Sequence, residues 1–230
     1  MHLDAQTVIE YGTRVLIIFM VLPIHELAHA WMAERCGDYT AKYMGRLTLN
    51  PIAHIDPIGA ILLLFTGFGW AKPVPVNPLH FKHYRRDMAL TALAGPVSNL
   101  IVAAISMIVL RVLLGVSDDY MMKNGIIYYI TGTNNTGLYY AIWLFYFLVT
   151  INIGLAVFNL IPVPPLDGSR IVSYFTSAKY ERILAENQLI ISIVFMALLF
   201  SGILSRPLGF IDGKLFDLFA LATNWIEALV

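Results

Sequence analysis

Three long apolar stretches dominate the sequence, and each is long enough to cross the hydrocarbon core of a bilayer as a helix. They cover residues 14–34, 88–114 and 139–161, and a helix needs roughly 20 apolar residues to span about 30 Å of hydrocarbon. The composition agrees, because only 13% of the residues are charged, compared with about 25% in soluble domains. We therefore expect an integral, multi-pass membrane protein in a lipid bilayer. The formal net charge of +0 argues against nucleic-acid binding.

Shorter apolar segments complete the pattern. Residues 188–204 are nearly free of charge but short for a span, and residues 211–230 are amphipathic. Residues 57–70 contain glycines and are too short to span, which favours a re-entrant or buried segment. Residues 39–50 alternate β-forming and polar side chains, which predicts a small β-hairpin near the cytoplasmic face. The predicted fold is one domain over 1–230, an all-α polytopic membrane protein with about four to six transmembrane or re-entrant helices.

Lysine and arginine are unevenly distributed between the loops. Residues 34–87 and 162–187 carry most of them, whereas residues 115–138 carry only Lys123. Cytoplasmic loops retain positive charge, so 34–87 and 162–187 are expected on the cytoplasmic side. The first span then runs from outside to inside, the second returns, and the third enters again.

A His-Glu-x-x-His motif at His25, Glu26 and His29 lies inside the first apolar stretch. Residues four apart share a helix face, so both imidazoles can bind one zinc ion while Glu26 reaches the metal-bound water. Paired histidines can also be core residues, but ionisable groups in an apolar span each cost a few kcal/mol unless they are paired or functional. Pro23 removes a backbone donor and is expected to loosen the helix there. If Arg35 marks the cytoplasmic edge, the metal lies roughly 10–15 Å below that surface.

A catalytic zinc ion usually takes a third protein ligand and leaves a fourth position for water. Asp167 is the favoured candidate, because it follows a segment in which Pro162, Pro164 and Pro165 cannot continue a helix. An unwound segment can turn its carboxylate inward, and this one approaches the same side as His29. His54 is the alternative third ligand, and is otherwise expected to organise the loop before residue 57.

Five motifs spread over most of the chain match a known pattern. They are His25-Glu26-x-x-His29, 45–51 (GRLTLNP), 54–57 (HIDP), 94–99 (AGPVSN) and 159–168 (NLIPVPPLDG). With these motifs the chain resembles the site-2 protease family of intramembrane zinc metalloproteases. The resemblance implies a core of transmembrane helices in which His25, His29 and Asp167 bind Zn²⁺. It also implies that the substrate is a membrane-spanning protein helix that is cut within the bilayer.

The resemblance is closest to the compact branch of that family. The chain has no room for a PDZ domain between its spans and shows no nucleotide-sensing domain after residue 204. We therefore expect the membrane domain itself to select substrates. The expected location is a bacterial or archaeal cell membrane, with the active site toward the cytoplasm.

Several other residues have expected roles in catalysis, substrate binding or helix packing. Glu26 is expected to act as the general base for the attacking water. Asn159 resembles an asparagine that holds substrate backbone or steadies the oxyanion in that family, and it could equally cap a broken helix end. Residues 39–50 could offer a strand edge to an unwound substrate, or form a purely structural hairpin. Asn99 and Asn152 are expected to form interhelical hydrogen bonds.

Other functions would also use such a buried metal site. A metal-ion transporter is one alternative, although transport folds commonly carry internal repeats and this sequence shows none. An inactive relative that only binds transmembrane helices is a second, against which the intact Glu26 argues. A prenyl-protein protease is a third, but it requires a downstream glutamate ligand, and Glu181 and Glu186 lie in a polar loop.

Overall fold

Helices make up most of the computed structural model, which describes residues 5–67, 69–117, 120–123, 125–129, 136–226 and 229. The described α-helices are α1 (Ala5–Leu16), α2 (Leu22–Arg35), α3 (Thr40–Tyr43), α4 (Pro51–His54), α5 (Pro57–Thr66), α6 (Tyr84–Gly115), α7 (Thr136–Asn159), α8 (Asp167–Phe175), α9 (Ala178–Glu186), α10 (Gln188–Phe200) and α11 (Ser205–Thr223). Short 3₁₀ turns cover Pro78–His80 and Asn224–Ile226.

Three of the described helical segments are long and apolar enough to cross a membrane. They are Tyr11–Arg35, Tyr84–Gly115 and Gly137–Asn159. These segments confirm the three long spans that the sequence predicts. Helices α9 and α10 together would add a fourth, although they are bent by 72° at their junction. The protein is therefore an all-α polytopic membrane protein.

The first span is not a regular α-helix throughout. Residues Ile17–Val21 form a π-helical turn that joins α1 to α2, immediately before Pro23. Proline has no N–H to donate to the preceding turn, so the helix must change its hydrogen-bond pattern there. This irregularity agrees with the loosening expected at Pro23.

The short apolar segment after residue 56 forms α5, which ends well before the length of a span. Its first turn is capped by Asp56, whose Oδ1 accepts a hydrogen bond from the Gly59 N–H at 2.8 Å. Its last turn is closed by Gly67 at a φ of 79°, where glycine has no Cβ to strain. The Arg14 guanidinium donates to the carbonyl of Leu64 in the same turn.

The hairpin predicted for residues 39–50 is wrong in position. This segment begins with α3 and continues as turns and irregular backbone. The buried Asp38 side chain explains the difference, because its Oδ1 accepts from the Thr40 N–H at 3.0 Å and directs the chain into a helical turn. Residues 39–50 therefore offer no strand edge to a substrate.

A two-stranded antiparallel sheet occurs elsewhere, in the loop between the second and third spans. It pairs β1 (Tyr120–Lys123) with β2 (Ile126–Tyr129), and Gly125 sits in the turn at a φ of 74°. By the charge count of the loops, this loop was expected on the side opposite the cytoplasm.

The chain divides into two compact units, one formed by Met1–Ser98 with Asn159–Val194 and the other by Asn99–Phe158 with Phe195–Val230. The second unit has an apolar core around Met107, Leu110 and Ile142. Within it, the Asn99 Nδ2 donates to the Asn152 Oδ1 at 3.1 Å, and both side chains are buried. This contact confirms the predicted interhelical hydrogen bond. The first unit contains the candidate site, and the prediction of a single domain stays a prediction.

Candidate metal centre

The two histidines of the His-Glu-x-x-His motif lie together on α2, as residues four apart on a helix do. The Nε2 atoms of His25 and His29 are 3.0 Å apart. The Oδ2 atom of Asp167 lies 3.3 Å from each of those nitrogens. The structure therefore brings together the three residues that the sequence predicts as metal ligands.

Asp167 reaches the histidines because the chain stops being helical before it. Helix α7 ends at Asn159, residues 160–166 form turns with a cis Pro164–Pro165 bond, and α8 begins at Asp167 itself. The next residue, Gly168, is buried against the backbone of this turn, and a Cβ there would overlap the carbonyl oxygens of residues 160 and 161. A glycine is therefore required to hold Asp167 in place.

The ring of His29 is oriented by the backbone of α6. Its Nδ1 lies 2.7 Å from the Thr91 carbonyl oxygen. A carbonyl oxygen can only accept, so Nδ1 must carry the proton. In the neutral ring, Nε2 then presents its lone pair to the centre, which is how metal-binding histidines are commonly fixed.

Gly95 allows α6 to pack directly on the two imidazoles. A Cβ at this position would lie 2.5 Å from Cε1 and Nε2 of His29 and 2.6 Å from Cε1 of His25. In the sequence, Gly95 is notable only as part of the motif at residues 94–99. The signal for a packing role was present, because a glycine inside a helix lowers helix stability and is used where another group must approach the backbone closely.

Glu26 lies beside the centre and is held by main chain. Its Oε2 accepts a hydrogen bond from the Val74 N–H at 2.8 Å. Val74 stands between Pro73 and Pro75, which have no N–H to donate. The sequence gives no sign of this contact, since it joins a side chain to a backbone group 48 positions away.

The extended backbone around Val74 is anchored at both ends. At one end the Lys72 N–H donates to the His54 carbonyl at 2.9 Å. At the other, the Asn77 N–H donates to Oδ2 of the buried Asp38 at 2.7 Å. Burial raises the pKa of Asp38, but hydrogen bonds from Thr40, His80 and Asn77 outweigh it and hold the pKa below its ordinary value.

The donor set fits a zinc ion. Ligand nitrogens and oxygens about 2.0–2.1 Å from a tetrahedral zinc ion lie roughly 3.3–3.4 Å from one another, close to the observed 3.0 and 3.3 Å separations. The Oδ2 atom of Asp167 is buried and has no hydrogen-bond partner among the described residues. Such an atom is costly unless a cation satisfies it. Two imidazoles and one carboxylate leave a fourth position for water.

The remaining candidates lie outside this cluster. His54 is buried, and its Nε2 is 2.8 Å from the Thr48 carbonyl oxygen, a contact that agrees with the expected role in organising its loop and not with the fallback role of third ligand. Glu181 pairs with Arg85 at 2.7 Å, which argues against a role as a metal ligand. Asn159 is half-buried at the end of α7, and its role stays a prediction.

A polytopic helical fold with a largely buried His-His-Asp donor set and an adjacent glutamate is typical of a membrane protein with a metallohydrolase-type centre. Comparison with known proteins supplies the family. Residues 13–202 match peptidase family M50, and the chain belongs to this family. It is the site-2 protease family of zinc-dependent metalloproteases, which act on membrane proteins.

Three relatives, each named "Putative zinc metalloprotease", are similar to this chain. YwhC of Bacillus subtilis (strain 168) is 46% identical over 160 residues, which cover 69% of this chain and 66% of YwhC. Rip2 of Mycolicibacterium smegmatis is 26% identical over 203 residues, covering 85% of this chain and 70% of Rip2. MJ0611 of Methanocaldococcus jannaschii is 27% identical over 155 residues, covering 65% and 63%. The chain thus spans about two thirds of the length of these relatives. No solved structure matches it.

Proposed function

We propose that this protein is an intramembrane zinc endopeptidase that cleaves the transmembrane segments of other membrane proteins. The observation that carries the proposal is the convergence of His25, His29 and Asp167, with their donor atoms within 4.8 Å of one another. Glu26 follows the first of these ligands on the same helix. Membership of peptidase family M50 supports proteolysis over the alternative of metal-ion transport.

The chain's own residues divide the chemistry between them. His25, His29 and Asp167 would hold zinc, which when bound supplies a Lewis acid that activates water and polarises a carbonyl. Glu26 would take the proton of the attacking water and deliver it to the leaving amine. The Val74 N–H keeps the Glu26 carboxylate oriented. Asn159 would hold the substrate backbone or the oxyanion near the turn that leads to Asp167.

The active site is proposed to face the cytoplasm. The basic residues of 34–87 and 162–187 flank α2 and α8, which carry the candidate ligands. The proposed location is a bacterial or archaeal cell membrane, which agrees with similar proteins in two bacteria and an archaeon.

The proposal is tested with purified wild type and Glu26→Gln in detergent micelles. Zinc content and cleavage of a transmembrane reporter are measured in parallel. We expect Glu26→Gln to keep its zinc and to lose cleavage by roughly 10²–10⁴-fold, the usual contribution of a general base. The matched control is Glu34→Gln on the same helix, because Glu34 pairs with Lys42 at 2.6 Å instead of facing the centre.

Each result has a distinct meaning. A Glu26→Gln variant that cuts near the wild-type rate contradicts the role of Glu26. A wild type that binds zinc and cuts no transmembrane reporter supports the inactive, helix-binding alternative. Loss of zinc from Glu26→Gln but not from Glu34→Gln would show that Glu26 also supports the metal site. Loss of zinc from both variants would indicate misfolding.

A further inference from the structure

The compact unit that holds the metal centre also contains an open cavity of about 550 Å³. It lies between the first turns of α6 and the helices α8 and α9. Its lining includes Arg85, Arg170 and Arg182, together with Tyr84 and Tyr174. Arginine is common at the cytoplasmic end of a span, but three arginines that line one cavity concentrate positive charge at a single site.

Of these three arginines, only Arg85 has a close carboxylate partner in the part of the chain that the structure describes. Arg85 binds Glu181 at 2.7 Å and donates to the Ser173 carbonyl at 2.9 Å, so it ties the walls of the cavity together. Among the described residues, Arg170 contacts no carboxylate and donates only to a methionine sulfur. Arg182 lies 3.9 Å from a largely exposed Glu186, a weak surface pair. The cavity therefore keeps an unbalanced positive charge.

The cavity lies where a membrane span begins. Tyr84 is the first residue of the span Tyr84–Gly115, and Tyr84 and Tyr174 are both about half exposed. Tyrosine is typical of the boundary between hydrocarbon and water. Gln188 lines the cavity and starts the apolar helix α10. Exposed apolar residues follow at Leu189, Ile190 and Ile193.

We infer that this cavity binds the phosphate headgroup of an anionic phospholipid. Arg170 and Arg182 would contact the phosphate oxygens, since guanidinium groups match phosphate geometry. The acyl chains would lie along the exposed apolar residues of α10, which an inorganic ion could not use. Basic pockets beside spans bind anionic lipid headgroups in this way. Arg170 and the candidate ligand Asp167 lie on the same helix, α8. The bound lipid would therefore stabilise the helix that carries a candidate zinc ligand.

The inference is tested by measuring lipid binding to the purified protein, residues 1–230, with native mass spectrometry. The probes are phosphatidylglycerol, phosphatidylcholine and inorganic phosphate. The variant is Arg170→Gln with Arg182→Gln, and the matched control is Lys179→Gln, an exposed cation on α9 that does not line the cavity. Because the readout is binding, it is independent of whether the protein cleaves peptides.

We expect the wild type to bind phosphatidylglycerol in preference to phosphatidylcholine, with about one tightly bound lipid per chain. The double variant should bind phosphatidylglycerol about 30-fold more weakly, because two basic residues near an anionic headgroup contribute roughly 1 kcal/mol each. The Lys179→Gln control should bind as the wild type does. Equal binding of both lipids, unchanged binding by the double variant, or an equal loss in the control would overturn the inference. Displacement of the lipid by millimolar inorganic phosphate would also overturn it, because the site would then select the free ion.

Discussion

Replacing Gly95 by alanine tests how closely α6 supports the metal centre. The new Cβ would lie 2.5–2.6 Å from ring atoms of His25 and His29, whereas favourable carbon contacts are about 3.5–4.0 Å. The rings or the helix must therefore move by roughly 1 Å. A zinc site tolerates departures of only about 0.2 Å in its ligand distances.

Two costs are expected from that movement. If the imidazoles move, zinc affinity should fall by at least the roughly 10–100-fold that is typical for losing an outer-shell support. If α6 moves instead, overpacking should lower the free energy of unfolding by about 1–3 kcal/mol. Zinc affinity is measured by competition with a chromogenic chelator, and stability by thermal unfolding in the same detergent.

The control for this substitution is Gly154→Ala in α7. A Cβ there meets nothing closer than an Asp212 oxygen at 3.9 Å, an ordinary contact. We expect this variant to bind zinc as tightly as the wild type. A Gly95→Ala variant with wild-type zinc affinity and wild-type stability would refute the packing argument.

Three further substitutions test other parts of the site and its support. Asp167→Asn should lower zinc affinity by 100-fold or more, measured with the same chelator, and unchanged affinity would remove Asp167 from the ligand set. Gly168→Ala should lower zinc affinity while leaving the ligands intact, because its Cβ overlaps the preceding backbone turn. Asp38→Asn should destabilise the protein by about 1–3 kcal/mol in thermal melts at neutral pH. Since the folded-state pKa of Asp38 is lowered, this difference should be full above about pH 4 and shrink at more acidic pH, and a pH-independent difference would contradict the role of the charge.

The spans and the two histidines were predictable because they depend on local patterns. Hydropathy over about 20 residues indicates a span, and a spacing of four places two side chains on one helix face. Asp167 was reachable by a longer argument, in which the prolines before it end a helix near the same face. These inferences needed no knowledge of distant contacts.

The remaining features depend on contacts that the sequence does not display. The strand prediction for 39–50 followed side-chain alternation, but two hydrogen bonds to the Asp38 carboxylate, from the Thr40 N–H and the Thr40 hydroxyl, outweighed that weak preference. The link between Glu26 and Val74 uses a backbone N–H, which every residue except proline possesses. The identity of residue 74 therefore did not reveal its contact with Glu26.

The hydrogen bond from Val74 to Glu26 also shapes how this position can vary. The donor belongs to the main chain, so changes of side chain at residue 74 leave it in place. Proline is the exception, because it has no backbone N–H. The chain has proline at positions 73 and 75, but not at position 74, whose N–H binds Glu26. In a library covering every substitution at residue 74, small and large side chains should survive selection for activity far more often than proline.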